Sequence, residues 1–189
     1  MKTFFTSDQH FGHYNIINFD RRPFKSTENM DAELIRRWNA KVDKDDRIYI
    51  LGDLIWKCDD VSGLLARLNG TKTLIKGNHD HRWLGDPNIK KLLSAIKDYD
   101  DIKVTLASGV VKRCILSHYP IHFYNGHYHG SVMLYGHVHQ TKECKLVREY
   151  AKWLAEHGCP VEMYNVGCMC FDYEPVTLDE ILEQNKSQI

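Results

Sequence analysis

The chain has no excess charge of either sign: Lys and Arg total 25 and Asp and Glu total 25 in 189 residues. That balance creates no overall field favouring nucleic acid or a membrane, and no basic stripe marks a duplex groove. It has no apolar run near the roughly 20 residues of a membrane helix. Met1-Lys2-Thr3-Phe4-Phe5 meets Ser7-Asp8 before a signal-peptide apolar region can form, so a cytoplasmic location is expected. The six cysteines, at positions 58, 114, 144, 159, 168 and 170, form no Cys-x-x-Cys pair and read as reduced thiols. Cys168-Met169-Cys170 reads as small apolar residues near a strand end rather than a soft-metal site. Repeats, low-complexity segments, linkers and any insertion large enough for a capping domain are all missing. Residues 1–189 therefore read as one domain, long enough to bury a core, with ordinary apolar (43%) and charged (26%) content.

Residues 2–6 predict a short strand ending at Ser7-Asp8, and residues 11–28 read as irregular. Met30, Leu34, Ile35, Trp38 and Val42 recur at helical spacing. Residues 47–51 form a strand stopped by Gly52-Asp53. Val61, Leu64, Leu65 and Leu68 mark a second helix capped by Asp59 or Asp60, and residues 71–76 a strand stopped by Gly77-Asn78. Strand, helix, strand, helix, strand predicts parallel strands with crossover helices, the α/β class. Asp86-Pro87 opens a further helix whose buried face would hold Ile89, Leu92, Leu93 and Ile96. Residues 102–107 and 110–116, joined by Ser108-Gly109, predict a hairpin. A loop rich in His, Tyr and Gly covers 118–130, followed by a strand at 132–135. Leu146, Val147, Tyr150, Trp153 and Leu154 mark a helix, and residues 161–166 a late strand. Thr177-Leu178-Asp179-Glu180 is a capping box for a short last helix. Trp38 and Trp153 read as core.

Histidine is abundant: eleven residues, most of them in the third quarter of the chain. Gly136-His137-Val138-His139 sets two imidazoles one residue apart after the apolar run 132–135. Four other segments offer ligand-type residues after strands: Asp8-Gln9-His10, Gly52-Asp53, Gly77-Asn78-His79-Asp80 and Ser117-His118. Open α/β sheets carry their sites at the carboxyl ends of strands, so these segments converge on one crevice. Each residue taken alone has a plain reading as a cap, turn or satisfied histidine; five such segments at strand ends do not. Asp8, His10, Asp53, Asn78, His118, His137 and His139 are too many for one tetrahedral zinc and suit two divalent ions sharing a carboxylate. Mixed oxygen and nitrogen donors fit manganese, iron, zinc, cobalt or nickel, manganese first. Two such ions activate a water for in-line displacement at phosphorus. His79 is left to serve the leaving oxygen, with Asp80 orienting its imidazole. His13, His122, His127 and His129 are candidate crevice residues or exposed loop histidines, and Arg21, Arg22 and Lys25 could steer a phosphate. His81 and His157 read as surface residues.

Asp8-x-His10, Gly52-Asp53, Gly77-Asn78-His79-Asp80, Ser117-His118 and Gly136-His137-x-His139 resemble, in order, the five motifs of calcineurin-like metallophosphoesterases. The spacing, Phe11-Gly12-His13 and Ser117-His118-Tyr119-Pro120 look like the small bacterial and phage members; the serine before His118 stands where many members have glycine. The resemblance implies a four-layer αββα sandwich of two mixed sheets. It implies that Asp8, His10 and His139 hold one metal, that Asn78, His118 and His137 hold the other, and that Asp53 bridges them. The implied activity is phosphoester hydrolysis, a diesterase before a protein or nucleotide phosphomonoesterase, on a substrate of nucleotide-like kind. A non-catalytic scaffold of the same fold is the reading from another class, opposed by the full ligand set and His79.

Overall fold

The structure, a computed structural model, describes residues 1–186. Strands β1 (Thr3–Thr6), β2 (Arg47–Ile50), β3 (Thr71–Ile75) and β4 (Ala95–Lys97) run parallel, and β9 (Val176–Thr177) closes the other edge of β1 antiparallel. The order of this first sheet is β4-β3-β2-β1-β9. A second sheet, ordered β5-β6-β7-β8, is built from β5 (Tyr99–Thr105), β6 (Val111–Ser117), β7 (Val132–Tyr135) and β8 (Met163–Asn165), with only β5 antiparallel. The expected α/β class with two mixed sheets is what the chain forms.

Period-two alternation sends neighbouring side chains to opposite faces, and both faces of both sheets are apolar. Phe4, Ile48, Ile50 and Leu74 face α2 (Thr27–Lys41) and α3 (Val61–Arg67), meeting Met30, Leu34, Trp38, Leu64 and Leu65. Their neighbours Phe5, Leu51 and Ile75 face the second sheet, against Val104, Cys114, Leu116 and Leu134, and α6 (Leu178–Lys186) adds Leu178 and Ile181. Ile115, Met133 and Tyr135 point away from the first sheet, toward Cys144 and Val147 of α5 (Lys142–Glu156). Three apolar seams thus separate helices, sheet, sheet and helix.

The caps are local chemistry. Ser26 sits extended at the start of α2, and its Oγ accepts from Asn29 N at 3.2 Å. Asp60 caps α3 through Gly63 N at 2.8 Å. At the start of α6, Thr177 N donates to Glu180 Oε2 at 2.7 Å while Glu180 N returns a bond to Thr177 Oγ1 at 3.4 Å, the reciprocal box the sequence predicts.

Three expectations are corrected. The helix at 86–96 is one turn only, α4 (Pro87–Lys90), after which the chain becomes β4. The open edge of β3 decides this: Ser94 N bonds Lys72 O and Lys76 N bonds Lys97 O, both at 2.8 Å, and Ile96 pairs with Leu74. Satisfying an edge strand outweighs a four-residue periodicity that one turn already meets. Ile89 and Leu93 are buried, whereas Leu92 is exposed. Trp153, expected in the core, is 48% exposed, while Trp38 is buried as expected. Segment 11–28 is not wholly irregular: α1 (Ile16–Phe19) forms a turn of helix within it.

Among the described residues no helix is long and apolar enough to cross a membrane. All six cysteines are free, and burial pushes the Cys114, Cys168 and Cys170 thiols up to about 12, so they stay protonated.

Candidate metal centre

Ser7 joins the two sheets at their carboxyl edges. Its N–H donates to Val166 O at 3.0 Å and its carbonyl accepts from Cys168 N at 2.9 Å. Beyond it the ligand segments are tied to one another: Asp8 N to Gly52 O, His10 N to Asp53 O and Gly136 N to His118 O, each at 3.0 Å. Asp8, His10, Asp53, His137 and His139 all adopt left-handed backbone, with φ of 58°, 54°, 53°, 70° and 46°. That conformation is costly for residues with a Cβ, and its concentration in one place is the kind of strain that functional sites hold. Two glycines are required by close approach. A Cβ on Gly136 would stand 2.5 Å from Asp8 Oδ2, and one on Gly52, itself at φ +87°, 2.3 Å from His118 Nδ1.

The side chains then converge. His10 Nε2 and His139 Nε2 are 3.3 Å apart, and His139 Nε2 is 3.6 Å from Asp8 Oδ1. Asp53 Oδ2 is 3.6 Å from His118 Nε2 and 3.8 Å from His10 Nε2 and His79 Nε2. His118 Nε2 is 3.0 Å from Asn78 Oδ1. Asp8, His10 and His139 bring donor atoms within 4.8 Å of one another, as do Asp8, Asp53 and His118. The His137 ring stands beside this cluster, 5.0 Å from the His118 ring centre, and its backbone N–H donates to Asp8 at 3.0 Å.

His118 Nδ1 is 2.8 Å from Leu51 O, a carbonyl that can only accept, so Nδ1 carries a hydrogen. Its other nitrogen, Nε2, faces Asn78 Oδ1 and the Asp53 carboxylate. Imidazole nitrogen, amide oxygen and carboxylate converging in this way are the atom types that ligate metal ions. The donor set therefore fits a divalent ion of mixed oxygen and nitrogen preference. Electrostatics separate the imidazoles. Burial lowers the His10 pKa well below its ordinary value, with His139 and Arg22 adding to that, so His10 is neutral. Burial opposes charge on His139 too, but its bond to Asp20 and the Asp8 charge outweigh that and raise its pKa. Burial, with His118 next, lowers that of His137.

Around the cluster lies a set of braces. Asp80 is fully buried and accepts from Asp53 N (2.9 Å), Leu54 N (3.1 Å), Gly77 N (2.8 Å) and Trp83 Nε1 (3.0 Å). It ties the loops after β2 and β3 together, which corrects the expectation that it orients His79. Arg22 is buried, donating to Gln9 O (2.7 Å), Asp8 O (2.8 Å) and the Asp20 carboxylate (3.0 Å). It braces the loop of Asp8 and His10, and it does not line the crevice. Asp20, which the sequence reading passed over, also accepts from His139 Nδ1 at 2.8 Å. That bond fixes the hydrogen on Nδ1 and aims Nε2 into the cluster. Burial raises the Asp20 pKa, but the His139 and Arg22 contacts win and lower it, so Asp20 is ionised. Its position in an irregular segment gave no signal beyond a carboxylate two residues from an arginine.

A crevice of about 400 Å³ opens over the centre. His10, Asp53, Asn78, His79, His137 and His139 line one side; His13, Asn15, Ile16, Phe19 and Trp56 line the other. His13 lies flat on Trp56, ring centres 3.9 Å apart at 6°, and burial, with Arg22 beside it, lowers its pKa to about 4. It is a neutral aromatic surface at neutral pH. Arg82 covers Trp56 at 3.9 Å. His79 is partly exposed, with its ring edge-on to Trp56. The remaining candidates lie elsewhere. His122 packs against Tyr150 of α5 and its Nε2 is 3.4 Å from Val147 O, so it is no crevice residue. Arg21 and Lys25 are exposed and do not line the crevice. His81 and His157 are on the surface, as expected.

Comparison with other proteins adds relatives without activities. No family model matches the chain. An uncharacterized protein of Methanocaldococcus jannaschii is 31% identical over 187 residues, covering 96% of this chain and 90% of its own. The gene 66 protein of Mycobacterium phage D29 is 31% identical over 159 residues, covering 71% of this chain and 77% of its own. A crystal structure described as a protein of unknown function from Aquifex aeolicus superposes with a TM-score of 0.69 at 27% identity, covering 96% of this chain and 98% of that one. Likeness of this extent settles kinship: the chain belongs to the family represented by the uncharacterized M. jannaschii protein and the phage gene 66 protein.

Proposed function

We propose that the chain is a metal-dependent phosphoester hydrolase with the fold and centre of the calcineurin-like metallophosphoesterases, acting on diesters. The observation that carries the reading is the convergence of Asp8, His10, Asp53, Asn78, His118 and His139, with carboxylate, amide and imidazole atoms of metal-ligating type, at the joined edges of two sheets. Two divalent transition-metal ions, manganese first among manganese, iron, zinc, nickel and cobalt, would supply Lewis acidity and a nucleophile from water near neutral pH. Asp8, His10 and His139 would hold one, Asn78, His118 and His137 the other, and Asp53 both.

The chain's own residues do the rest. Asp20 and the Leu51 carbonyl keep His139 and His118 in the tautomer that presents Nε2. Asp80 and Arg22 hold the ligand loops rigid, which keeps the phosphorus in line between attacking and leaving oxygens. His79 reaches the crevice beside Asp53 and gives a proton to the leaving oxygen.

The crevice favours a diester over a monoester. No Lys or Arg is among its lining residues, and Arg22, the buried cation nearby, is turned inward. The second negative charge of a monoester would then rest on the metals and the His79 proton. The wall of Ile16, Phe19 and Trp56 suits the second ester group. Rates on matched aryl mono- and diesters with manganese supplied test this. The diester is expected to turn over faster; a consistent monoester preference would replace the reading by a phosphomonoesterase, and no turnover of either by a scaffold.

A further inference from the structure

Helix α5 carries two apolar stripes where packing needs one. Cys144 and Leu154 are buried toward the second sheet and Val147 packs with them there. Leu146, Tyr150, Trp153 and His157 follow one another at steps of four, three and four residues, so they share a second face. That face is open: Leu146 is 61%, Tyr150 43% and Trp153 48% exposed. Its rings are already ordered. Tyr150 and Trp153 stack with centres 5.7 Å apart at 12°, Trp153 and His157 at 4.0 Å and 25°, and His122 stands edge-on to Tyr150 at 4.8 Å. Phe123, next to His122 in the chain, is exposed as well. An ordered aromatic surface of this kind marks an interaction site.

The flanking charges say what covers it. Lys145, Glu149, Lys152 and Glu156 form an exposed row beside the stripe and alternate in sign. A second α5 laid antiparallel, with the two-fold axis between residues 150 and 151, brings Lys145 opposite Glu156 and Glu149 opposite Lys152. Laid parallel about a two-fold axis, this row would lie against the opposite flank of the partner's stripe. It meets itself, opposite signs in register, in the antiparallel arrangement, an isologous dimer. We propose that α5, with His122 and Phe123 beside it, is the contact surface between two copies of this chain, packed antiparallel about Tyr150 and Trp153. This assignment is independent of the chemistry of the crevice.

Sedimentation equilibrium in reducing buffer tests it. The unaltered chain is expected to sediment as a dimer at micromolar concentration. A chain with Tyr150→Glu and Trp153→Glu is expected to sediment as a folded monomer with an unchanged circular dichroism spectrum, because both side chains are exposed in the single chain. Lys145→Glu is expected to weaken the dimer about tenfold or more, since two symmetry-related contacts change sign, and adding Glu156→Lys to restore it. A chain that is monomeric throughout overturns the proposal, and the stripe then serves another macromolecule. So does a dimer that survives the double substitution, or a charge reversal that Glu156→Lys fails to rescue.

Discussion

His79 reaches the crevice without a required place among the converging residues, and that separates its task from theirs. Its backbone N–H is spent on Asp53 Oδ1 at 2.9 Å, which fixes the turn, while its ring faces the open side. His79→Ala should keep fold and metal content yet lower kcat by about 10²–10⁴-fold on a poor leaving group, and less on a nitrophenolate. Equal losses for both leaving groups, or a fall in metal content, would make the residue structural. Asp20 is the opposite case, acting only through His139. Asp20→Asn should weaken metal binding about 10–100-fold, read by competition with a chelator; unchanged affinity would leave it as a mere partner for Arg22. The converging residues themselves were legible, because Asp, Asn and His just past so many strand ends have few other uses in such numbers. The braces were not. Arg22 reads in sequence as a phosphate-steering cation, and Asp80 as a partner for the adjacent His79, because sequence does not show burial. Asp20 lies 119 positions from His139, a contact only the fold creates.

The elements were legible where pattern and packing agree. The repeat of Met30, Leu34 and Trp38 and the Ser26 cap announce α2, and the apolar runs of β2, β3, β6 and β7 announce buried strands. They were illegible where an edge or a surface decides. Ile96 belongs to β4 because β3 needed a partner, and Trp153 is exposed because α5 has a second apolar face, which looks like core in a one-dimensional pattern. Helix α2 also reaches the metal loop: Asp31 accepts from Gly12 N at 3.1 Å with both oxygens. Burial pushes its carboxyl up to about 6, the Gly12 bond offsetting only part of that. A folded pKa above the unfolded value means that the unfolded chain loses this proton first as pH rises. The group's contribution to stability therefore falls between about pH 4 and pH 6 and stays low above. Asparagine keeps an acceptor for Gly12 and removes the charge. Asp31→Asn should match the parent chain near pH 4 and exceed it by about 1 kcal/mol at pH 7, solvent access trimming the full effect. Urea unfolding at the two pH values checks this, and a variant less stable at both would contradict it.

Across the whole molecule, two sheets meet at one seam so that strands from each can deliver ligands to a single place. Ser7 bonds to both sheets, and Asp53, at the end of a central strand, is the only carboxylate among the described residues whose oxygen faces His10, His79 and His118 together. A carboxylate in that place serves both halves of the donor set. Asp53→Ala should therefore empty the whole centre rather than half of it. The most direct measurement is elemental analysis of the manganese-loaded chain after removal of free metal, beside the Asp53→Ala variant. The expected result is two tightly held ions per chain, and none in the variant. A single ion in the intact chain, or full metal content in Asp53→Ala, would contradict the shared two-metal centre.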